Sequence, residues 1–364
     1  MKTRLLFLAG LLVIATNSFA RNAQDKTVPD TPVARNQELT LTQEWDKTFP
    51  KSDKVNHKKV TFHNRFGITL AADMYIPKDV SATRSVSGKL PAIAVSGPFG
   101  AVKEQSSGLY AQTLAEKGFL TIAFDPSFTG ESGGDPRNVA SPDLNTEDFS
   151  AAVDYLSTHE LVDADRIGIL GICGWGGLAI NAAANDPRIK ATVASTMYNM
   201  TRVNTNGYFD KGTEEQRYQV RVELNNQRTE DYRNGSYKRS VMNPKPSADA
   251  PQFMKDYYDY YKTKRGYHER SINSGQGWNL TSNLGFMNSQ ILQYASEIRN
   301  AVFIVHGEKA HSRYMGEEAF KLLKGNNKQI YIVPGANHCD LYDKVDVIPF
   351  DKIEQFYRTY LVRN

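Results

Sequence analysis

The sequence has few cysteines and no long apolar segment beyond its N-terminus. Its 364 residues include only two cysteines, Cys173 and Cys339, which is too few for a disulfide-stabilised scaffold. No stretch after the N-terminal region approaches the roughly 20 apolar residues that a membrane-spanning helix needs. We therefore expect the mature protein to have no stable membrane association.

An excess of charge of one sign is also absent. The formal net charge of +4 at pH 7 becomes +2 when the two cations Lys2 and Arg4 are removed, and so small an excess does not favour nucleic acid binding. No group of histidine, cysteine and acidic residues has the spacing of metal ligands. The sequence predicts no nucleic-acid partner, no metal and no cofactor, and it leaves the oligomeric state open.

Residues 1–20 have the pattern of a signal peptide. The cations Lys2 and Arg4 precede an uncharged apolar run, residues 5–14, and Ser18-Phe19-Ala20 provides a small-residue cleavage site. An uncleaved membrane anchor is the alternative, but the apolar run is too short to span a bilayer of about 30 Å. We expect cleavage after Ala20 and a periplasmic or secreted protein.

The rest of the chain divides by pattern. Residues 21–57 are polar and predict an N-terminal arm. Short apolar runs alternate with helical patterns over residues 58–197 and again over 300–364, which predicts a mostly parallel sheet with helices on both faces. Residues 198–299 lack apolar strand runs, are rich in tyrosine and predict a mainly helical insertion.

The strongest chemical signal surrounds Cys173. An apolar strand predicted over residues 167–172 ends in the turn Gly171-Ile172-Cys173-Gly174, and a helical pattern follows at once. This strand–turn–helix context is that of a nucleophile elbow. The N-terminus of the helix also favours a thiolate, because its dipole and free N–H groups stabilise negative charge.

A second segment matches the serine elbow pattern letter for letter. Gly130-Glu131-Ser132-Gly133-Gly134 reads G-x-S-x-G, but it lies in a polar loop, away from any strand end. Asp135-Pro136 follows it instead of an apolar helix. We therefore interpret it as a glycine-rich loop and reject Ser132 as the nucleophile.

The general base is expected after the last predicted strand, residues 329–333. His338 lies in the loop Pro334-Gly335-Ala336-Asn337-His338, at the carboxyl edge of the sheet where sites of open α/β sheets lie. A neutral imidazole there accepts the thiol proton and later protonates the leaving group. Chain order favours His338 over the other histidines.

These features together resemble the α/β-hydrolase superfamily. The order of elements, the Gly-x-Cys elbow at Cys173, the segment Gly335-Ala336-Asn337-His338 and the inserted cap are similar to that superfamily, over residues 58–197 and 300–362. The cysteine nucleophile is similar to the dienelactone-hydrolase branch. The resemblance implies an α/β-hydrolase fold and hydrolysis of a small-molecule ester, lactone or thioester through an S-acyl intermediate on Cys173.

The resemblance also directs the search for a triad acid. Relatives often have Asp where Ala310 stands, so Glu308 is the best remaining carboxylate on the loop after strand 301–305, and it keeps the order nucleophile–acid–histidine. Asp340 is the alternative acid. Trp175 is another departure, because many relatives have glycine there, a role that Gly176 is expected to take.

Two backbone amides are expected to form the oxyanion hole. One is Gly174, directly after the nucleophile. The other is Phe99 in the loop 96–100, because Pro98 has no N–H. Glu104 is a possible site carboxylate, since a carboxylate near the cysteine is a feature of the dienelactone-hydrolase branch; a carboxylate at the start of a surface helix is the alternative.

Other functions remain open at this stage. An elbow reports the mechanism and not the leaving group, so an amidase, a peptidase or an acyltransferase is compatible with the same residues. A disulfide between Cys173 and Cys339 would instead leave a non-catalytic binding protein, if their Cα atoms approach within about 7 Å. The acyl size is not predicted.

Overall fold

The computed structural model describes residues 37–81, 83, 88–275 and 277–362. The signal peptide and most of the predicted arm therefore lie outside the described residues. Within the described ranges, no helix is long and apolar enough to cross a membrane. The chain from residue 37 to the first strand has no regular secondary structure.

An eight-stranded sheet forms the centre of the core, with strand order β1-β2-β4-β3-β5-β6-β7-β8. Only β2 runs antiparallel to its neighbours, and the pairs from β4 to β8 are all parallel. The strand bounds are β1 Val55–His63, β2 Thr69–Pro77, β3 Leu90–Ser96, β4 Leu120–Phe124, β5 Val162–Ile172, β6 Ile189–Ser195, β7 Ala301–Gly307 and β8 Lys328–Val333.

Helices cover the sheet because the central strands are buried on both faces, as in all parallel sheets. Every residue of β3 and of β7 is buried. The helices of the core are α1 Ser106–Glu116, α2 Pro142–Thr158, α3 Gly174–Asn185, α8 Arg313–Leu322, α9 Asp340–Asp343 and α10 Phe350–Leu361. The predicted fold class, a mostly parallel α/β sheet of the α/β-hydrolase type, is confirmed.

Helix α2 begins earlier than the charge pattern indicates. The sequence suggests a start near Glu147, with Glu147 and Asp148 in the first turn, whereas the helix begins at Pro142. Asp148 is buried and accepts hydrogen bonds from the Ser127 amide at 2.9 Å and from Asn64 Nδ2 at 3.0 Å. The error arose because a buried carboxylate that binds loop amides looks, in sequence, like one that complements a helix dipole.

The insertion between β6 and β7 is mainly helical. Its helices are α4 Met200–Asn206, α5 Glu214–Asn234, α6 Gln252–Lys262 and α7 Asn283–Met287. A capping box of Thr213 and Gln216 begins α5, and Gly235 in the left-handed conformation ends it. Helix α6 has an apolar face that buries Tyr260 and Tyr261, and this face brings the insertion towards the carboxyl edge of the sheet.

Candidate active site

Cys173 lies at the tip of a sharp turn between β5 and α3. Its backbone has φ 58° and ψ −125°, a conformation that L-residues rarely adopt. Its N–H donates to the Ser195 carbonyl, and its own carbonyl accepts from Tyr198 N, both at 2.9 Å. A Cβ at Gly171 would collide with the Trp175 carbonyl oxygen, so a glycine is required at this position of the turn.

Trp175 fits the turn because its side chain points into the core. It is 1 % exposed, and its ring packs edge-on against Phe124 and Phe149 at centroid distances of 5.7 and 5.3 Å. Close approach occurs one residue later, where a Cβ at Gly176 would lie 2.8 Å from Met197 Cβ. The position of Gly176 agrees with the role expected for it.

The thiol of Cys173 is surrounded by hydrogen-bond donors. Burial raises its pKa, while hydrogen bonds from the Tyr342 hydroxyl, the amides of Gly174 and Phe99, and the Tyr257 hydroxyl act in the opposite direction. The sequence indicates a thiolate favoured by the helix N-terminus, but here burial outweighs the donors. The resting group is therefore a thiol with two backbone amides directed at it, those of the residues predicted for the oxyanion hole.

His338 lies in the loop between β8 and α9 and is 2 % exposed. Its Nε2 is 3.0 Å from the Tyr342 hydroxyl, and its Nδ1 is 2.7 Å from Ser312 Oγ and 3.0 Å from Thr196 Oγ1. Burial, together with the neighbouring His311 and His306, lowers the pKa of His338 well below its usual value. The imidazole is therefore neutral at pH 7, as a general base requires.

Neither predicted acid contacts His338. The Glu308 side chain is turned towards the surface, where its Oε2 accepts from the Gly335 amide at 2.7 Å. Asp340 Oδ2 accepts from the Asn337 amide at 2.8 Å, and its Oδ1 lies 2.6 Å from Lys344 Nζ. Both carboxylates satisfy loop amides, and the hydroxyls of Ser312 and Thr196 occupy the Nδ1 side of the imidazole where the acid was expected.

Glu104 belongs to a buried charge cluster and makes no recorded contact with Cys173. Its Oε1 lies 2.6 Å from Lys103 Nζ and 2.9 Å from Arg270 Nη2. Lys103 Nζ also lies 2.8 Å from Asp125 and 2.6 Å from Glu131. The three carboxylates could in principle hold a cation, but the ammonium of Lys103 already contacts each of them. This cluster supports the loops beneath the site.

The two remaining alternatives of the sequence have clear positions. The Ser132 hydroxyl donates to the Asp125 carbonyl at 2.7 Å and accepts from the Ala71 amide at 2.9 Å, so it is bound within the loop, consistent with its rejection as a nucleophile. Cys173 and Cys339 are both free and buried. The disulfide that a non-catalytic binding protein would need is not formed.

A cavity of about 280 Å³ opens onto Cys173 between the core and the insertion. Its volume is just below the range of about 300–1,000 Å³ typical of small-molecule sites. None of the described residues that line it is charged. The lining residues are Phe99, Cys173, Tyr198, Met200, Tyr208, Met242, Asn243, Pro244, Phe253, Met254, Tyr257, Tyr261, Asn273 and Tyr342.

Sequence reasoning missed four polar residues of the site: Tyr342, Tyr257, Ser312 and Thr196. Tyr342 could have been found, because it follows His338 by four residues, the spacing that places two side chains on one face of a helical turn. Ser312 lies on the very loop where the acid was sought, but a loop serine has no periodic signal. Nothing in the pattern indicates Thr196 or Tyr257.

A profile of the X-Pro dipeptidyl-peptidase (S15) family matches residues 67–339. This range includes the elbow, the insertion and His338. It ends at Cys339, three residues before Tyr342.

The uncharacterised protein PA2218 of Pseudomonas aeruginosa is 57 % identical over 327 residues, which cover 90 % of this chain and 86 % of that protein. Its crystal structure superposes with a TM-score of 0.86, covering 90 % of this chain and 100 % of that chain. The α/β-hydrolase GrgF of Penicillium sp. sh18 superposes with a TM-score of 0.67 at 19 % identity, covering 85 % of this chain and all of that one. At that identity the likeness concerns the fold alone.

A shorter match relates the chain to an enzyme with a named reaction class. The thiohydrolase aneE of Aspergillus aculeatus is 34 % identical over 104 residues, which cover 29 % of this chain and 33 % of that protein. The matched part is therefore local.

Proposed function

We propose that this chain, which belongs to the X-Pro dipeptidyl-peptidase (S15) family and is an α/β-hydrolase, cleaves an ester, lactone or thioester of a small apolar acyl group through an S-acyl intermediate on Cys173. The observation that carries the proposal is the position of Cys173. Its thiol lies in a strained elbow, at an apolar cavity, and faces the amides of Phe99 and Gly174.

The reaction follows from this geometry. The sulfur of Cys173 attacks the acyl carbon while its proton passes towards His338, and the oxyanion accepts hydrogen bonds from Phe99 and Gly174. Collapse of this intermediate expels the alcohol or thiol, which takes up the proton. Water activated by His338 then attacks the S-acyl group and releases the carboxylic acid and the thiol of Cys173.

The lining of the cavity favours a neutral acyl group. A peptidase that recognises a free N-terminus must bind an ammonium group, and a buried ammonium needs an anionic partner. The described residues that line the cavity include no carboxylate. Aromatic rings and methionines bind apolar acyl groups instead, and the local likeness to a protein named thiohydrolase agrees with a thioester or ester.

Cleavage of an Xaa-Pro peptide bond is the second candidate, and the family match favours it. An assay with 4-nitrophenyl butyrate, S-phenyl thiobutyrate and an Xaa-Pro 4-nitroanilide separates the two. We expect turnover of the first two substrates and none of the third. Turnover of the anilide alone would make the protein a peptidase.

The nucleophile is tested by trapping the intermediate. After rapid mixing with 4-nitrophenyl butyrate and an acid quench, we expect a butyryl group on the peptide that contains Cys173 by mass spectrometry, and no such group in the Cys173→Ala variant. Ser132→Ala is the matched control, and we expect it to retain the adduct. An adduct on Ser132, or full turnover by Cys173→Ala, would refute the proposal.

We further propose that the enzyme acts outside the cytoplasm, on the support of residues 1–20. Expression of the full chain in a bacterial host, followed by fractionation and intact-mass measurement, tests this. We expect a mature chain that begins at Arg21 in the periplasm or the medium. An uncleaved chain retained in the membrane would mean that the segment is an anchor.

A further inference from the structure

The side chain of Tyr342 links the nucleophile to the base. Its hydroxyl is 3.0 Å from His338 Nε2, and the same hydroxyl is a hydrogen-bond partner of the Cys173 thiol. Nε2 is the imidazole nitrogen left for chemistry, because Nδ1 faces Ser312 and Thr196. The phenol is thus in contact with both groups between which a proton must move.

Several contacts hold Tyr342 in this position. Its carbonyl accepts from Ser106 Oγ of α1 at 2.8 Å, and its ring packs edge-on against Tyr260 at a centroid distance of 5.0 Å. Arg265 of the insertion binds the adjacent Asp343 at 2.7 Å. The side chain is fully buried, so its hydroxyl is preorganised and water competes little for it.

We propose that Tyr342 is a catalytic residue that relays the proton from Cys173 to His338, an inference that rests on the proposed S-acyl chemistry. As the S–C bond to the acyl carbon forms, the S–H proton moves to the Tyr342 oxygen and the phenolic proton moves to His338 Nε2. Tyr342 is left neutral and His338 becomes an imidazolium. The reverse transfer then delivers one proton to the departing alcohol or thiol.

The charge states of the three groups agree with a relay between neutral partners. Burial raises the pKa of the Cys173 thiol and, with Cys173 nearby, that of the Tyr342 phenol well above its usual value. Burial lowers the pKa of His338. A stable thiolate–imidazolium pair is therefore disfavoured at rest, and a transfer coupled to attack avoids a free phenolate.

Tyr257 offers a matched comparison within the same cavity. Its hydroxyl also faces the Cys173 thiol, but its contact with His338 is between ring faces and edges, at a centroid distance of 5.5 Å, with no recorded hydrogen bond to the imidazole. Removal of either hydroxyl takes one donor from the sulfur. Only the removal of the Tyr342 hydroxyl interrupts the path to His338.

The experiment measures acylation of wild type, Tyr342→Phe and Tyr257→Phe by 4-nitrophenyl butyrate in a stopped-flow instrument, in mixtures of H₂O and D₂O. We expect the acylation rate of Tyr342→Phe to fall about 100-fold or more, within the range for loss of a general acid–base group, and that of Tyr257→Phe to fall far less. In wild type and Tyr257→Phe, the rate should depend on the deuterium fraction with the curvature of two protons in flight. In Tyr342→Phe the dependence should be linear.

A second measurement does not depend on an acyl substrate. Alkylation of Cys173 by iodoacetamide requires loss of the thiol proton, so we expect it to slow at pH 7 much more in Tyr342→Phe than in Tyr257→Phe. Equal slowing in the two variants would overturn the relay, as would a linear deuterium dependence in wild type. If wild type forms no S-acyl adduct while alkylation follows the expected order, the proposed function fails and the relay stands. Should Tyr342→Phe not fold, the deuterium dependence of wild type and Tyr257→Phe still decides.

Discussion

Nδ1 of His338 and Oγ of Ser312 lie 2.7 Å apart, in the place where a triad carboxylate would orient the imidazole. A hydroxyl fixes the ring and its tautomer but brings no negative charge to stabilise an imidazolium. This explains how a base can work while fully buried and neutral at rest. It also makes Ser312, rather than Glu308, the residue on which the position of the base depends.

Ser312→Ala should therefore lower kcat/KM by about 10-fold, because one of two hydroxyls at Nδ1 is lost while Thr196 Oγ1 remains at 3.0 Å. The matched control is Glu308→Gln on the same loop, whose exposed side chain contacts Gly335 and not His338. We expect it to change kcat/KM by less than about twofold. Steady-state kinetics with 4-nitrophenyl butyrate decides, and the opposite order would restore Glu308 as the acid.

Buried histidines should make the protein less stable in mild acid. Burial lowers the pKa of His306 and of His311 to about 4, so the unfolded chain binds more protons than the folded chain once the pH falls below about 6.5. Stability then decreases as the pH falls towards 4. Asp148 acts in the opposite direction, because burial raises the pKa of its carboxyl to about 6.

We expect a net loss on the order of 2 kcal/mol in the free energy of unfolding between pH 7 and pH 5, since each histidine contributes about 2 kcal/mol and Asp148 offsets part of the sum. Urea unfolding at the two pH values measures it. His311→Phe, which preserves the stacking on Phe253, should remove much of the dependence. A variant with an unchanged pH slope would show that His311 is not the source.

The features that the sequence predicts well are local ones. The elbow at Cys173 is legible because strand, turn and helix follow within 20 residues, and each has its own periodicity or small-residue signal. The partner of His338 is not legible, because Glu308 and Ser312 share one loop and only the direction of each side chain separates them. Glu104 was misplaced for a similar reason: its neutralising partner Arg270 lies far along the chain.

Lys103 should be among the residues most costly to replace. Its fully buried ammonium contacts the carboxylates of Glu104, Asp125 and Glu131, and these outweigh burial and raise its pKa well above the usual value. Lys103→Met keeps the length of the side chain but leaves buried carboxylates without their shared partner. The expected loss of stability is about 3–5 kcal/mol.

The matched control for Lys103 is Lys344→Met. Lys344 pairs with Asp340 at 2.6 Å, but its side chain is 48 % exposed, so we expect a loss below about 1 kcal/mol. Thermal and urea unfolding compare the two variants. Equal losses would mean that the buried cluster contributes no more than a surface ion pair.

Gly97 should be indispensable to both the fold and the oxyanion hole. Its φ is +100°, and a Cβ there would collide with the Ile172 carbonyl oxygen and lie 2.8 Å from Trp175 Cβ. Gly97→Ala must therefore push the loop away from the elbow, at a cost of about 3–5 kcal/mol from backbone strain and overpacking together. The displacement also moves the Phe99 amide, and loss of one such donor lowers kcat by about 100-fold or more.

Gly335→Ala separates strain from collision. Gly335 has φ +71°, but a Cβ there would meet nothing within 4 Å, so only the backbone strain of about 1–2 kcal/mol remains. We expect this variant to lose that much stability and to keep most of its acylation rate, although it lies in the loop that carries His338. If Gly97→Ala behaved like Gly335→Ala in both unfolding and stopped-flow measurements, the contact between the Gly97 loop and the elbow would not be what positions the Phe99 amide.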